Sequence, residues 1–163
     1  MLGQVKTVTC TAPASCAGQV MSQTDYDAAT ALPLRSYAFG KLKQTLTYNA
    51  DGTVATVKDG NNNLTTLSGW KRGIPQSIKH PITPESPTGA TESAVVDDNG
   101  WIQSTTDENG FVTSYGYDAM GRLTLLDYPD GDSVNWTSTT QSFAPSTATR
   151  YGLPAGHWLQ TVS

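Results

Sequence analysis

The sequence predicts an all-β protein, an antiparallel meander of short strands joined by tight turns. Three observations carry that prediction. Thr, Ser, Gly and Asn are abundant, which favours strands and turns over helices. No window sustains an apolar pattern of period 3.6, so long helices are not expected. One four-residue pattern, Asn or Asp followed by two variable residues and Gly, returns along the chain at near-regular intervals.

The turns come first in the argument. The pattern occurs at Asn49–Gly52, Asp97–Gly100, Asp107–Gly110 and Asp118–Gly121, with a variant at Tyr128–Gly131. Gly100, Gly110, Gly121 and Gly131 follow one another at intervals of ten, eleven and ten residues. A further candidate, Asp59–Asn62, places Asn62 where the others have glycine. An Asp or Asn at the first position of a type I turn accepts a hydrogen bond from a backbone N–H two residues on. Glycine at the fourth position tolerates positive φ and closes the hairpin through a bulge, and Asn is the best substitute there. Pro129 sits at a second turn position, where its fixed φ suits the geometry. About four turn residues per interval leave roughly six for each strand, close to the commonest strand length.

The intervening segments read as strands. Trp101–Thr106, Phe111–Tyr117, Leu123–Leu126 and Val134–Thr137 are expected in the second half, and Thr45–Tyr48, Thr53–Val57 and Leu64–Leu67 in the first. Phe111, Thr113, Tyr115 and Tyr117 fall on one face of the clearest of them. Two stretches break the register. Residues 80–91, with Pro81, Pro84 and Pro87, are expected to form an exposed loop, and residues 138–156, rich in Ser, Thr, Pro and Ala, to run irregularly.

Composition narrows the function classes. At 163 residues the chain is long enough for one domain with a real core, and residues 1–163 are expected to form a single repeat region. A formal charge of −4 disfavours a nucleic-acid partner, and no apolar run approaches a membrane span. The opening MLGQVKTVTC lacks a charged segment leading into an apolar run, so no signal peptide is predicted there. Cys10 and Cys16 are the two cysteines; a local disulfide and a pair of free thiols both fit their spacing. A zinc site would need His80 and His157 to complete four ligands, without the usual short spacing, so no metal and no cofactor are expected.

Catalytic signals are weak. No Gly-x-Ser-x-Gly elbow occurs, and neither His80 nor His157 has a spaced partner. The acid pairs Asp97-Asp98 and Asp107-Glu108 sit at turn positions and would not face each other across a glycoside. Exposed Asp and Asn oxygens suit calcium, but no complete calcium loop is present. The chain is therefore not expected to be an enzyme. Trp70, Trp101, Trp136 and Trp158, with Tyr115 and Tyr117, are expected to fill a packed sheet face; the alternative is a sugar-stacking platform carried by Trp101 and Trp136.

Tyr115-Gly116-Tyr117-Asp118-Ala119-Met120-Gly121-Arg122-Leu123-Thr124 closely resembles the signature of the YD repeat of RHS-repeat proteins, with Tyr117, Asp118, Gly121, Arg122 and Leu123 as its defining residues. Asp127–Gly131 resembles its usual continuation. Tyr26–Leu32 resembles a weaker copy with Thr30 in the glycine position, and Trp70–Ile78 is similar to segments of large bacterial RHS or wall-associated proteins. The resemblance implies a section of a β-sheet that spirals into a hollow shell. It implies a chain that is part of a longer secreted or cell-surface protein, whose partners are the remainder of that shell and a toxin domain enclosed by it, or a glycan. A structural wall segment is thus the leading expectation. An extracellular carbohydrate- or protein-binding module is the alternative, and a hydrolase the least supported.

Overall fold

The computed structural model describes residues 4–131, 134 and 136–163. Among them there are thirteen strands and no helix. The chain divides into two compact units, Met1–Thr91 and Glu92–Ser163.

The first unit contains β1 (Thr7–Thr9), β2 (Val20–Tyr26), β3 (Pro33–Ala38), β4 (Lys41–Tyr48), β5 (Val54–Asp59), β6 (Leu64–Ser68) and β7 (Ser77–Lys79). Each strand pairs antiparallel with the next in chain order. This is what short connections impose, because a parallel partner needs a long crossover. The second unit holds β8 (Thr91–Val96, entered one residue earlier), β9 (Ile102–Thr106), β10 (Val112–Tyr117), β11 (Leu123–Asp127), β12 (Thr139–Pro145) and β13 (Trp158–Val162). They too pair in order and antiparallel. No strand occupies residues 80–90; β8 begins where the Pro-rich stretch ends.

Several expectations change in detail. Trp101 and Phe111 precede their strands instead of opening them, since their N–H and C=O groups are spent in the preceding turns. The strand expected at Val134–Thr137 is absent from the described residues of that segment. Val134, Trp136 and Thr137 lie outside any strand, and Asn135 is outside the described residues. The strand lies at β12 instead, inside the stretch expected to be irregular. Its register is fixed by Leu125↔Thr140 and Leu126↔Thr139, and the Ser138 hydroxyl donates to the Asp127 carboxylate at its entry. A polar, Thr-rich segment forms a strand here because a partner edge supplies its hydrogen bonds.

The expected core is also absent among the described residues. Among the described residues only Cys10 and Val96 are buried apolar side chains. Strands laid side by side in chain order leave both faces of the ladder open, so most side chains are only half-covered. Stability must then rest on the ladders and on the turns that set their register.

The turn glycines differ in what surrounds them. Gly110 has φ +89 and open space where a Cβ would stand, whereas Gly121 has φ +78 and a Cβ there would lie 2.7 Å from Trp101 Cζ2. We predict that Gly110→Ala costs roughly 1–3 kcal/mol of folding free energy through backbone strain alone. Gly121→Ala, adding a clash with the indole, is expected to cost more. Urea unfolding of both variants checks the order; equal losses would remove the packing contribution.

Candidate functional site

The turns repeat one hydrogen-bond circuit. In three of them the N–H of the fourth residue donates to the C=O of the first: Gly100 to Asp97 at 3.2 Å, Gly110 to Asp107 at 3.1 Å, and Gly121 to Asp118 at 2.9 Å. The first residue's N–H donates in turn to the C=O of the fifth, at 2.9 Å for Asp97–Trp101 and 3.0 Å for both Asp107–Phe111 and Asp118–Arg122. One carboxylate oxygen then closes the circuit. Asp97 Oδ1 accepts from Asn99 N and Trp101 N, Asp107 Oδ1 from Asn109 N and Phe111 N, and Asp118 Oδ1 from Met120 N and Arg122 N, all at 2.9 Å. The fourth residues have φ of 89, 89 and 78 degrees.

Asp59–Asn62 has the same circuit, with Asn62 at φ 71 and Asn61 and Asn63 donating to Asp59 Oδ1. Asn49–Gly52 keeps the backbone bonds and Gly52 at φ 84, but the side-chain role passes to Asp51, which takes both the N–H and the hydroxyl of Thr53. Gly131 has φ 91; Asp132 and Ser133 after it lie outside the described residues. The copy at Tyr26–Leu32 differs. Its turn is one residue longer, closed by Ala31 N to Asp27 O and Asp27 N to Leu32 O, and positive φ falls on Ala31 instead of Thr30. The Thr30 hydroxyl and N–H instead join Ala29 N on Asp27 Oδ1.

A second device is invisible to the ten-residue spacing. The Tyr48 hydroxyl donates to Pro33 O at 2.6 Å, the Trp70 indole N–H to Val54 O at 2.9 Å, and the Tyr117 hydroxyl to Ile102 O at 2.9 Å. Each acceptor is the first residue of the preceding strand of a hairpin pair. Tyr26 reaches Val5 O, just ahead of β1, in the same way. These aromatics stand at or just past the ends of β2, β4, β6 and β10, and the first three are spaced by twenty-two residues, one full hairpin. The strand register shifts immediately before Tyr26, Tyr48, Val96 and Tyr117. Val96, which stands at the equivalent end of β8, has no side-chain donor and is instead 2% exposed. Burial pushes the Tyr48 and Tyr117 hydroxyls above the ordinary phenol value, in keeping with their role as donors.

Arg122 links the signature turn to the next hairpin. Its Nε lies 2.7 Å from Asp118 Oδ2, and its guanidinium stands 4.3 Å from the Phe143 ring centroid and 5.4 Å from that of Trp158. Leu123 opens β11 opposite Tyr117. Trp101 packs against Tyr117 with ring centroids 5.4 Å apart and lies beneath Gly121. Trp136 is 59% exposed and stands 5.9 Å from the Tyr128 ring. The structure therefore does not bring Trp101 and Trp136 together as one platform. His157 Nδ1 lies 2.6 Å from Pro154 O, which fits an Nδ1–H donor. Cys10 and Cys16 are joined in a disulfide.

Residues 96–133 match the family model described as RHS Repeat. Teneurin-4 of Homo sapiens and Teneurin-4 of Mus musculus are each 26% identical over 130 residues, spanning 68% of this chain and 4% of their own length. Two solved structures share the fold. The crystal structure of TcdB2-TccC3-Cdc42 aligns with 91% of this chain and 8% of its own, at 18% identity and a TM-score of 0.52. The Photorhabdus luminescens Tc holotoxin pore, with a mutation in TccC3, aligns with 86% and 6%, at 17% identity and a TM-score of 0.56.

Two predictions follow from the turn chemistry. The backbone N–H groups of Trp101 and Arg122, and the Asn63 side chain, are the leading causes that hold the Asp97, Asp118 and Asp59 carboxyls below their ordinary value of 3.8. A carboxyl that is more acidic when folded stabilises fully above its unfolded value, and that contribution disappears as pH falls through the folded value. Urea midpoints should therefore fall as the pH is lowered below about 4, and the fall should be shallower in Asp97→Asn and Asp118→Asn. Unchanged slopes would remove these turns from the acid response. Separately, Tyr117→Phe should cost about 1 kcal/mol by leaving the Ile102 carbonyl without its donor, and Tyr48→Phe a similar amount through Pro33. Unfolding of the two variants measures both.

Proposed function

We propose that this chain, an RHS/YD-repeat protein, supplies a section of β-sheet wall to a larger shell. The observation that carries this reading is the recurrence of one turn circuit at Asp59, Asp97, Asp107 and Asp118, which sets successive strands in antiparallel register with little core. Such a ladder extends by adding hairpins, and its ends ask for further strands. The similarity to chains in two toxin-related assemblies, which this chain matches over 8% and 6% of their length, supports the same view.

The remainder of the shell is then the principal partner, and in the parent protein the wall encloses a toxin domain. Protection of that domain from added protease in the intact parent, and its loss on opening the wall, is the measurement that decides this. We place the protein outside the reducing cytosol, at the cell surface or secreted, because a disulfide such as Cys10–Cys16 persists in oxidising compartments. Recovery of both cysteines as free thiols from the native source would count against that location. No catalytic role is assigned.

A wall section exposes pairing edges at β1 and β13. Light scattering after size exclusion should show association that grows with concentration, and Val8→Lys and Val162→Lys should reduce it by blunting those edges. A concentration-independent monomer would favour a self-sufficient binding module over a wall section.

A further inference from the structure

We propose that the groove between the Asp107 turn and the loop after β11 binds a quaternary ammonium group. The groove measures about 310 Å³ and is lined by Asp107, Asn109, Phe111, Tyr128, Pro129 and Trp136. That volume is at the lower end for small-molecule sites, which suits a single compact head group better than an oligosaccharide. Three of the six lining residues are aromatic. Tyr128 and Trp136 form a corner, their centroids 5.9 Å apart and their planes inclined by 43°. The Tyr128 hydroxyl lies 3.3 Å from Thr139 Oγ1, which ties that ring to the start of β12. Phe111 is placed by its own N–H, which is held on Asp107 Oδ1 at 2.9 Å. The turn circuit thus fixes a carboxylate and an aromatic ring at one side of the groove, while the Tyr128–Trp136 pair forms another.

Charge decides between possible occupants. Residues 92–163 carry nine Asp and Glu against two Arg and no Lys, a formal charge of −7, whereas residues 1–91 carry eight Lys and Arg against five Asp and Glu, a formal charge of +3. Both arginines of the second unit lie outside the groove lining, and Arg122 is already paired with Asp118. An anion would meet Asp107 without a compensating cation, and Asp130 follows directly on Pro129. A weakly hydrated organic cation meets ring faces that attract positive charge, beside a carboxylate that does the same. No bond is made or broken in this binding.

The test uses the whole chain and choline as the probe. Titration followed by nuclear magnetic resonance should shift the Phe111 and Tyr128 ring signals, along with the Trp136 indole signal, and saturate. The neutral isostere of choline, with carbon in place of the quaternary nitrogen, should bind roughly tenfold more weakly, because it keeps the shape and loses the cation–π attraction. Trp136→Ala should abolish the choline-induced shifts of the Phe111 and Tyr128 ring signals while the variant keeps the backbone amide dispersion of a folded chain. Asp107→Asn should weaken binding, although it also touches a turn; Trp136→Ala keeps the test independent of that. Equal binding of the isostere, a response to methyl glucoside but not to choline, or no shift with choline would each overturn the proposal. None of these outcomes bears on whether the chain belongs to a wall.

Discussion

The fold depends on one carboxylate oxygen that accepts two backbone N–H groups. In a type I turn followed by a residue at positive φ, the N–H groups of the third and fifth residues point into the loop without backbone partners. Asp59, Asp97, Asp107 and Asp118 satisfy both with a single Oδ1, while the first and fifth residues exchange a backbone bond across the mouth. Most of these N–H groups are at exposed turns, so each bond to the carboxylate replaces one to water and adds about 1 kcal/mol, and together they favour one place for each strand to stop and its partner to start. A one-residue slip would turn every side chain to the opposite face. With so few apolar groups buried, little else would resist such a slip.

The aromatic donors make the same logic act between strands. A residue such as Tyr117 ends its strand where the register shifts, and its hydroxyl reaches the first carbonyl of the neighbouring strand, so the displaced edge is pinned to the strand beside it. Trp70 does this with an indole N–H, which shows that the position needs a long aromatic donor more than it needs tyrosine. Val96 solves the problem differently, by burial. Hence the Tyr-Asp pair is two functions in adjacent residues: the first holds the ladder sideways and the second closes its end.

The sequence discloses the turns well because their chemistry is narrow: Asp at one end and Gly or Asn at the other are close to the only residues that fit. The all-β class and the antiparallel order follow from that alone. Three other hairpin loops escape the same pattern. Phe39-Gly40, Arg72-Gly73 and Tyr151-Gly152 each place both residues at positive φ, the geometry of two-residue hairpins, with a bulky residue where Asn or Asp would be expected. Thr139–Pro145 escapes because its strand character comes from its partners, β11 at Thr139 and Thr140 and β13 from Gln141 to Pro145, not from its own apolar pattern. Trp136 stands out in the sequence, but its packing against Tyr128 and the groove they share with the Asp107 turn bring together residues from separate loops. Spacing does not encode that meeting.

A ladder of this kind has a physical reason to belong to something longer. A hairpin added with its own turn circuit or aromatic pin brings a similar gain each time, while the cost of ending the sheet falls once at each edge. A domain with a closed core gains nothing from a further repeat, because its apolar surface is already covered. Here the buried apolar side chains among the described residues are Cys10, within a disulfide, and Val96, at a register shift. The Asp107 groove lies among turns and not in a closed core, and Trp136 in its lining is 59% exposed.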